Sequence, residues 1–148
     1  MISRRHMLVS AAVLPCLALP ALSAPPAVFV RNGYAIHGVD PVAYFRKDHP
    51  VQGNDAYRLI WRNAIWRFEN AANLTAFESA PLSFAPRYGG YCAMSLTQGQ
   101  WSNSDPEAWA IHSDRLYLTH SIAARDRWLE NPDHFAAQAD FHWHAAHG

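Results

Sequence analysis

The sequence predicts a single small α+β domain of short β-hairpins interleaved with short helices. Two segments rich in aromatic and branched residues, 57–61 and 65–68, flank a short polar turn and predict one hairpin. Segments 109–112 and 116–119, separated by a Ser-Asp turn, predict a second. Predicted helices separate these hairpins without the strand–helix–strand period of a parallel sheet, which favours the α+β class.

The first elements are short. Residues 28–30 (VFV) form a strand candidate after the paired prolines at 25–26. Asp40 followed by Pro41 is typical of an N-cap and a first helical position, which predicts a short helix over residues 42–46.

Capping residues also mark the later helices. Asn70 predicts a helix that continues to about Phe77, and Ser121 predicts one that continues to Leu129. Pro132 begins a further helix toward the C-terminus. The stretch 91–98 lies between glycines, and its pattern leaves strand and helix both open.

The N-terminus has the layout of an export signal. Arg4 and Arg5 precede an uncharged apolar stretch at 7–22, and small residues follow, so cleavage is expected after Ser23 or Ala24. Paired arginines predict the twin-arginine route and a periplasmic location. The alternative is a membrane anchor, but the stretch is interrupted by prolines and is shorter than the roughly 20 residues a spanning helix needs. We therefore expect no stable membrane span after cleavage.

Charge and cysteine content narrow the function classes. Loss of residues 1–23 removes two arginines and no acid, and the full chain has 12 Lys and Arg against 12 Asp and Glu, so the mature chain is slightly acidic. Such a chain offers no basic surface for nucleic acid. Cys92 is its only cysteine, which excludes an internal disulfide. Three roles are open for this thiol: a buried and inert side chain, a bridge between two chains, or a group that binds a ligand.

Five motifs follow one another along the chain: GVDPVAYF at 38–45, WRF at 66–68, FAPRYGGYCA at 84–93, DPEAW at 105–109 and LYL at 116–118. This ordered set resembles the exported YHS-domain-containing proteins of bacteria. The resemblance implies a YHS-like domain and a place near a wider group of small metal-binding modules. Many of those relatives bind metal through several cysteines, whereas this chain offers one.

The predicted organisation has four parts. They are a twin-arginine signal peptide at 1–23, a linker or strand at 24–36, a YHS-like domain at 37–130, and a C-terminal helix with a histidine-containing tail at 131–148.

Cys92 and Met94 are the first candidate metal ligands. Thiolate and thioether sulfur prefer soft ions such as Cu(I), so copper is the expected cofactor. On an extended segment, positions i and i+2 point to one face and can converge on an ion. On a helix they do not face each other. The alternative is a small buried thiol beside a methionine that fills a gap in the core.

Three histidines, His142, His144 and His147, form a second candidate set at the C-terminus. If the end is frayed, all three can wrap a divalent ion, since imidazole suits copper and zinc. On a helix only His144 and His147 are neighbours. We expect a solvated tail whose removal leaves stability nearly unchanged.

No catalytic motif of known spacing is present. His37, His112 and His120 stand alone and are expected to satisfy local hydrogen bonds. A dyad of Cys92 with a distant histidine remains open, although no spacing favours it. The sequence therefore favours a periplasmic binding domain for a soft metal ion over an enzyme. The alternatives are a small organic ligand, a docking module for another periplasmic protein, and a thiol-dependent enzyme.

Overall fold

The computed structural model of the protein describes residues 23–148. This part of the chain is a small α+β domain of hairpins and short helices, which confirms the predicted fold class. The predicted leader, with Arg4 and Arg5, lies outside the described residues. Within 23–148, no helix combines the length and the apolar character needed to cross a bilayer.

The first sheet contains the first predicted hairpin. Its strand order is β1-β2-β4-β3, and only the β2–β4 pair is parallel. Arg62 and Asn63 form the predicted turn, and both have positive φ (50° and 59°), as a two-residue type I′ turn requires. The strands are β1 (Val30–Arg31), β2 (Tyr34–Ala35), β3 (Asn54–Trp61) and β4 (Ala64–Phe68).

The second hairpin forms its own two-stranded sheet. β5 (Asp105–His112) pairs antiparallel with β6 (Arg115–Thr119), and β5 begins four residues earlier than predicted. Ser113 and Asp114 again both have positive φ, at 49° and 57°. The same turn chemistry therefore closes both hairpins.

Two helices begin at the caps predicted for them, Asn70 and Ser121. The side chain of Asn70 accepts the N–H of Asn73 at 2.9 Å, and Ser121 Oγ accepts the N–H of Ala124 at 3.1 Å. The described helices are α1 (Ala43–Lys47), α2 (Ala71–Ser79), α3 (Pro81–Phe84), α4 (Ala93–Leu96), α5 (Ile122–Glu130) and α6 (Pro132–His147).

The segment predicted as a strand at 28–30 instead packs over a glycine turn. Only Val30 joins β1, while Val28 is buried and the N–H of Phe29 donates to the carbonyl of Gly89 at 3.0 Å. A Cβ at Gly89 would lie 1.9 Å from the carbonyl oxygen of Ala27. The close approach of these two backbones is therefore possible only because residue 89 is glycine.

Asp40 does not cap α1 directly, because the N-cap is Val42. Its fully buried carboxylate accepts the N–H of Val42 at 2.8 Å through Oδ1. Oδ2 accepts the N–H of Glu69 at 2.9 Å and the side-chain amide of Asn73 at 2.7 Å. Asp40 thus ties the start of α1 to the connection between β4 and α2.

Two groups of buried side chains form the core. The first lies between the four-stranded sheet, α2 and β6, with Trp66, Phe68 and Phe77 at its centre. The second is defined by eight buried residues, which are Tyr88, Tyr91, Ala93, Leu96, Ala110, Tyr117, Trp128 and Ala139.

The C-terminal segment is part of this second group, contrary to the expectation of a solvated tail. α6 continues to His147 and buries Ala139. The ring of Trp143 lies 5.6 Å from that of Trp101, measured between centroids, and Tyr88 Oη donates to Asp140 Oδ1 at 2.9 Å. The apolar residues on one face of α6 therefore pack against the domain, although the histidines give this segment a polar sequence.

Candidate functional site

Cys92 occupies the N-cap position of α4 and is fully buried. The turn before it contains Gly89 and Gly90 with φ of 60° and 89°, a conformation that glycine adopts without strain. The N–H of Cys92 donates to the carbonyl of Ser102 at 3.0 Å. The local sequence thus fixes the position of the thiol in the interior, between Tyr91 and Ala93 of the second core group.

His120 brings a titratable group to this thiol. Its Nδ1 lies 3.1 Å from Cys92 Sγ, within hydrogen-bond distance. His120 directly follows the last residue of β6, and its side chain is exposed while the sulfur is buried. The imidazole therefore links the buried sulfur to solvent.

Backbone N–H groups complete the surroundings of the sulfur. Cys92 Sγ accepts from the N–H of His120 at 3.2 Å and from the N–H of Ser95 at 3.4 Å. Ser95 Oγ lies 3.5 Å from His120 Nδ1 and accepts a hydrogen bond from Ser102 Oγ at 2.8 Å. The thiol is thus the centre of a small polar group inside an aromatic-rich core.

Two kinds of chemistry fit a thiol beside an imidazole. A thiolate is both the nucleophilic and the metal-binding form of cysteine. A nucleophile and its base need to lie within about 2.6–3.2 Å, which the Sγ–Nδ1 distance of 3.1 Å satisfies. Thiolate and imidazole together also form a donor set that suits copper. Among residues 23–148, no cluster of three or more His, Cys, Asp or Glu side chains is placed to hold an ion.

Met94 does not share a face with Cys92. The segment 93–96 is helical, so the extended geometry that the sulfur pair needed is not present. Met94 is half-buried and packs against the second core group. The side chain next to the thiol is therefore that of His120 and not that of Met94.

The C-terminal histidines are spread along α6. His142 lies against Gly99, whereas His144 and His147 are one turn apart. The ring of His147 lies 4.2 Å from that of Trp143. Burial, and then the positive charge of Arg62, lower the pKa of His147. In the part of the chain that the structure describes, these side chains do not meet as a three-ligand group.

The isolated histidines divide into two types. His112 Nε2 lies 2.6 Å from Asp133 Oδ1, which is a local contact between β5 and the start of α6. His120 is the functional candidate that sequence reasoning missed. Its contact with Cys92 spans 28 positions. The sequence carries no direct signal for it, because His120 lies between the predicted strand 116–119 and the cap at Ser121, and Cys92 lies within the undecided stretch 91–98.

Comparisons of the chain with protein-family models, with curated proteins and with solved structures found no match. The resemblance to YHS-domain proteins rests on the sequence motifs alone.

Proposed function

We propose that this protein is an exported YHS-type domain that binds a soft metal ion, copper(I), through Cys92 with His120 as the second donor. The observation that carries the proposal is the 3.1 Å contact between Cys92 Sγ and His120 Nδ1. The twin-arginine pattern at Arg4 and Arg5 supports a periplasmic location.

The donor set supports copper over zinc. A structural zinc site takes four protein ligands and a catalytic one takes three. Cys92 and His120 supply one sulfur and one nitrogen, and no third acidic, cysteine or histidine side chain joins them among the described residues. Soft thiolate favours Cu(I), and imidazole is also a copper ligand.

Access to the sulfur also supports a small ligand. Cys92 is fully buried, whereas the His120 side chain is exposed. A single ion can reach the sulfur along the imidazole, while a large substrate would require the surrounding core to open. The N–H groups of Ser95 and His120 hold the sulfur in place for such an ion.

The decisive experiment is an anaerobic titration of Cu(I) into the reduced mature protein. We expect about one tightly bound ion per chain, loss of the tight site in Cys92→Ser, and clearly weaker binding in His120→Gln. Met94→Leu is the matched control, because it removes a sulfur that does not share the face of Cys92. Equal affinity in wild type and Cys92→Ser would refute the proposal.

A second candidate function is thiol-dependent catalysis, with Cys92 as nucleophile and His120 as its base. The same Sγ–Nδ1 contact favours it, since it lies within the range for proton transfer. Alkylation by iodoacetamide separates the two functions. A Cys92 that is alkylated faster in the native protein than after unfolding, and slower in His120→Gln, supports the dyad. Protection of the native thiol in both proteins supports the binding function.

A further inference from the structure

A second concave site lies away from the thiol, where arginine and aromatic side chains surround a cavity of about 180 Å³. Its lining includes three arginines and three residues with large aromatic side chains. These residues are Trp61, Arg62, Arg87, Tyr88, Arg115 and Trp143. Neither Cys92 nor His120 lines this cavity, so its ligand is independent of the proposed copper site.

We propose that this cavity binds a small organic anion, a carboxylate attached to a single planar ring. An engineered cavity of about 150 Å³ accommodates benzene. A pocket of about 180 Å³ therefore has room for one ring with a carboxylate. Tryptophan and tyrosine residues contribute apolar area to the lining, and guanidinium groups bind carboxylates through paired N–H donors.

The three arginines are held in place by neighbouring groups. The guanidinium of Arg62 lies 4.5 Å from the centroid of the Trp61 ring, and Arg115 Nη1 donates to the carbonyl of Leu82 at 2.8 Å. Arg87 Nη2 donates to Asp140 Oδ1 at 2.7 Å. Each guanidinium has five N–H donors, so these contacts leave donors for a ligand.

The charge around the cavity is not balanced. Asp140 compensates Arg87, but Arg62 and Arg115 take part in no ion pair with another described residue. The pKa of the nearby His147 is consistent with an excess of positive charge, because the charge of Arg62 contributes to lowering that pKa. A small cavity walled by unbalanced cations attracts an anion.

The site is assembled from separate parts of the chain. Trp61 and Arg62 come from the first hairpin, Arg115 begins β6, and Trp143 comes from α6. The docking of α6 against the second core group therefore completes one wall. This gives α6 a binding role that the histidine content alone did not indicate.

The experiment measures benzoate binding to the mature protein by the change in tryptophan fluorescence and by calorimetry. Benzamide serves as the neutral probe of the same shape, and inorganic phosphate as the anion without a ring. We expect benzoate to bind at least 10-fold more tightly than benzamide and than phosphate. Similar affinities for benzoate and benzamide would overturn the anion specificity, and tighter binding of phosphate would overturn the requirement for a ring.

Substitutions of the arginines that line the cavity test whether benzoate binds there. Arg62→Gln and Arg115→Gln should each weaken benzoate binding at least fivefold, and Arg115→Lys should weaken it less because it keeps the charge. Arg125→Gln, which removes a guanidinium paired with Asp126 on α5, is the matched control and should bind as wild type does. Unchanged benzoate affinity in both cavity variants, with folding verified by their melting temperatures, would overturn the proposal, as would no benzoate binding at all.

Discussion

Asp40 and Cys92 are both fully buried, and the side chain of each makes three hydrogen-bond contacts, yet their surroundings differ in one respect. The donors to Asp40 are two backbone N–H groups and the amide of Asn73, none of which titrates. The partners of Cys92 include the imidazole of His120, a side chain with acid–base chemistry that reaches the surface.

This difference separates a structural polar group from a functional candidate. A buried carboxylate saturated by fixed donors holds segments together and has no route for a proton or a ligand. A thiol in contact with an exposed imidazole has such a route. Burial and hydrogen bonding alone would not have distinguished the structural role of Asp40 from the candidate functional role of Cys92.

Loss of the Asp40 carboxylate should have the largest effect on stability. Asp40→Ala leaves three buried donors without acceptors, each costing about 1–3 kcal/mol, so we expect the free energy of unfolding to fall by about 3 kcal/mol or more. Asp40→Asn keeps a carbonyl oxygen and should lose less. Urea denaturation measures both, and a loss below about 1 kcal/mol in Asp40→Ala would contradict a structural role.

The second-largest loss of stability should come from removing a packed side chain of α6. Trp143 is half-buried and its ring lies near those of Tyr88 and Trp101, so Trp143→Ala should cost about 2 kcal/mol, less than the 3–5 kcal/mol of a fully buried tryptophan. Phe141→Ala on the same helix is the control, because Phe141 is 71% exposed. Equal melting temperatures for the two variants would mean that α6 contributes no packing.

Alkaline pH should destabilise both regions through their buried tyrosines. Burial raises the pKa of Tyr44 beside the Asp40 network and that of Tyr88 beside α6, with Glu107 and Asp140 adding to the shifts. The unfolded chain then loses its phenol protons near pH 10 while the native chain keeps them. Stability present below pH 10 is lost as pH rises, by about 1 kcal/mol per tyrosine at pH 11. Urea midpoints from pH 8 to 11 test this, and Tyr44→Phe and Tyr88→Phe should each flatten the dependence.

Substitution of the thiol should change stability least. Cys92→Ser keeps a small hydrogen-bonding group at the N-cap of α4, so we expect a loss of at most about 1 kcal/mol. The same variant should lose the proposed copper site. A loss as large as that of Asp40→Ala would place Cys92 with the structural groups and remove the contrast between the two residues.

Local chemistry explains the parts of the fold that the sequence predicted. The Arg62-Asn63 and Ser113-Asp114 turns, and the caps at Asn70 and Ser121, depend on neighbours within three positions. Such contacts are encoded in short windows of sequence. The boundaries differed because β3 and β5 extend through residues that carry no strand pattern of their own.

The candidate site depends on contacts that no short window contains. The thiol was identified as a candidate from its residue type, but its partner lies 28 positions away and meets it through the packing of β6 against α4. The packing of α6 could have been predicted from its apolar residues. Phe135, Ala139 and Trp143 recur every four residues and so share one helical face, but the histidines between them suggested an exposed segment.

If the predicted leader is removed, the close approach of Ala27 to Gly89 limits how much chain can lie between the new terminus and the core. Val28 is already part of the packed domain, so cleavage after Ala24 would leave only Pro25, Pro26 and Ala27 between the new terminus and the core. Three such residues in a polyproline II conformation span about 9 Å. A protein exported in the folded state would therefore present its scissile bond almost at the surface of the domain.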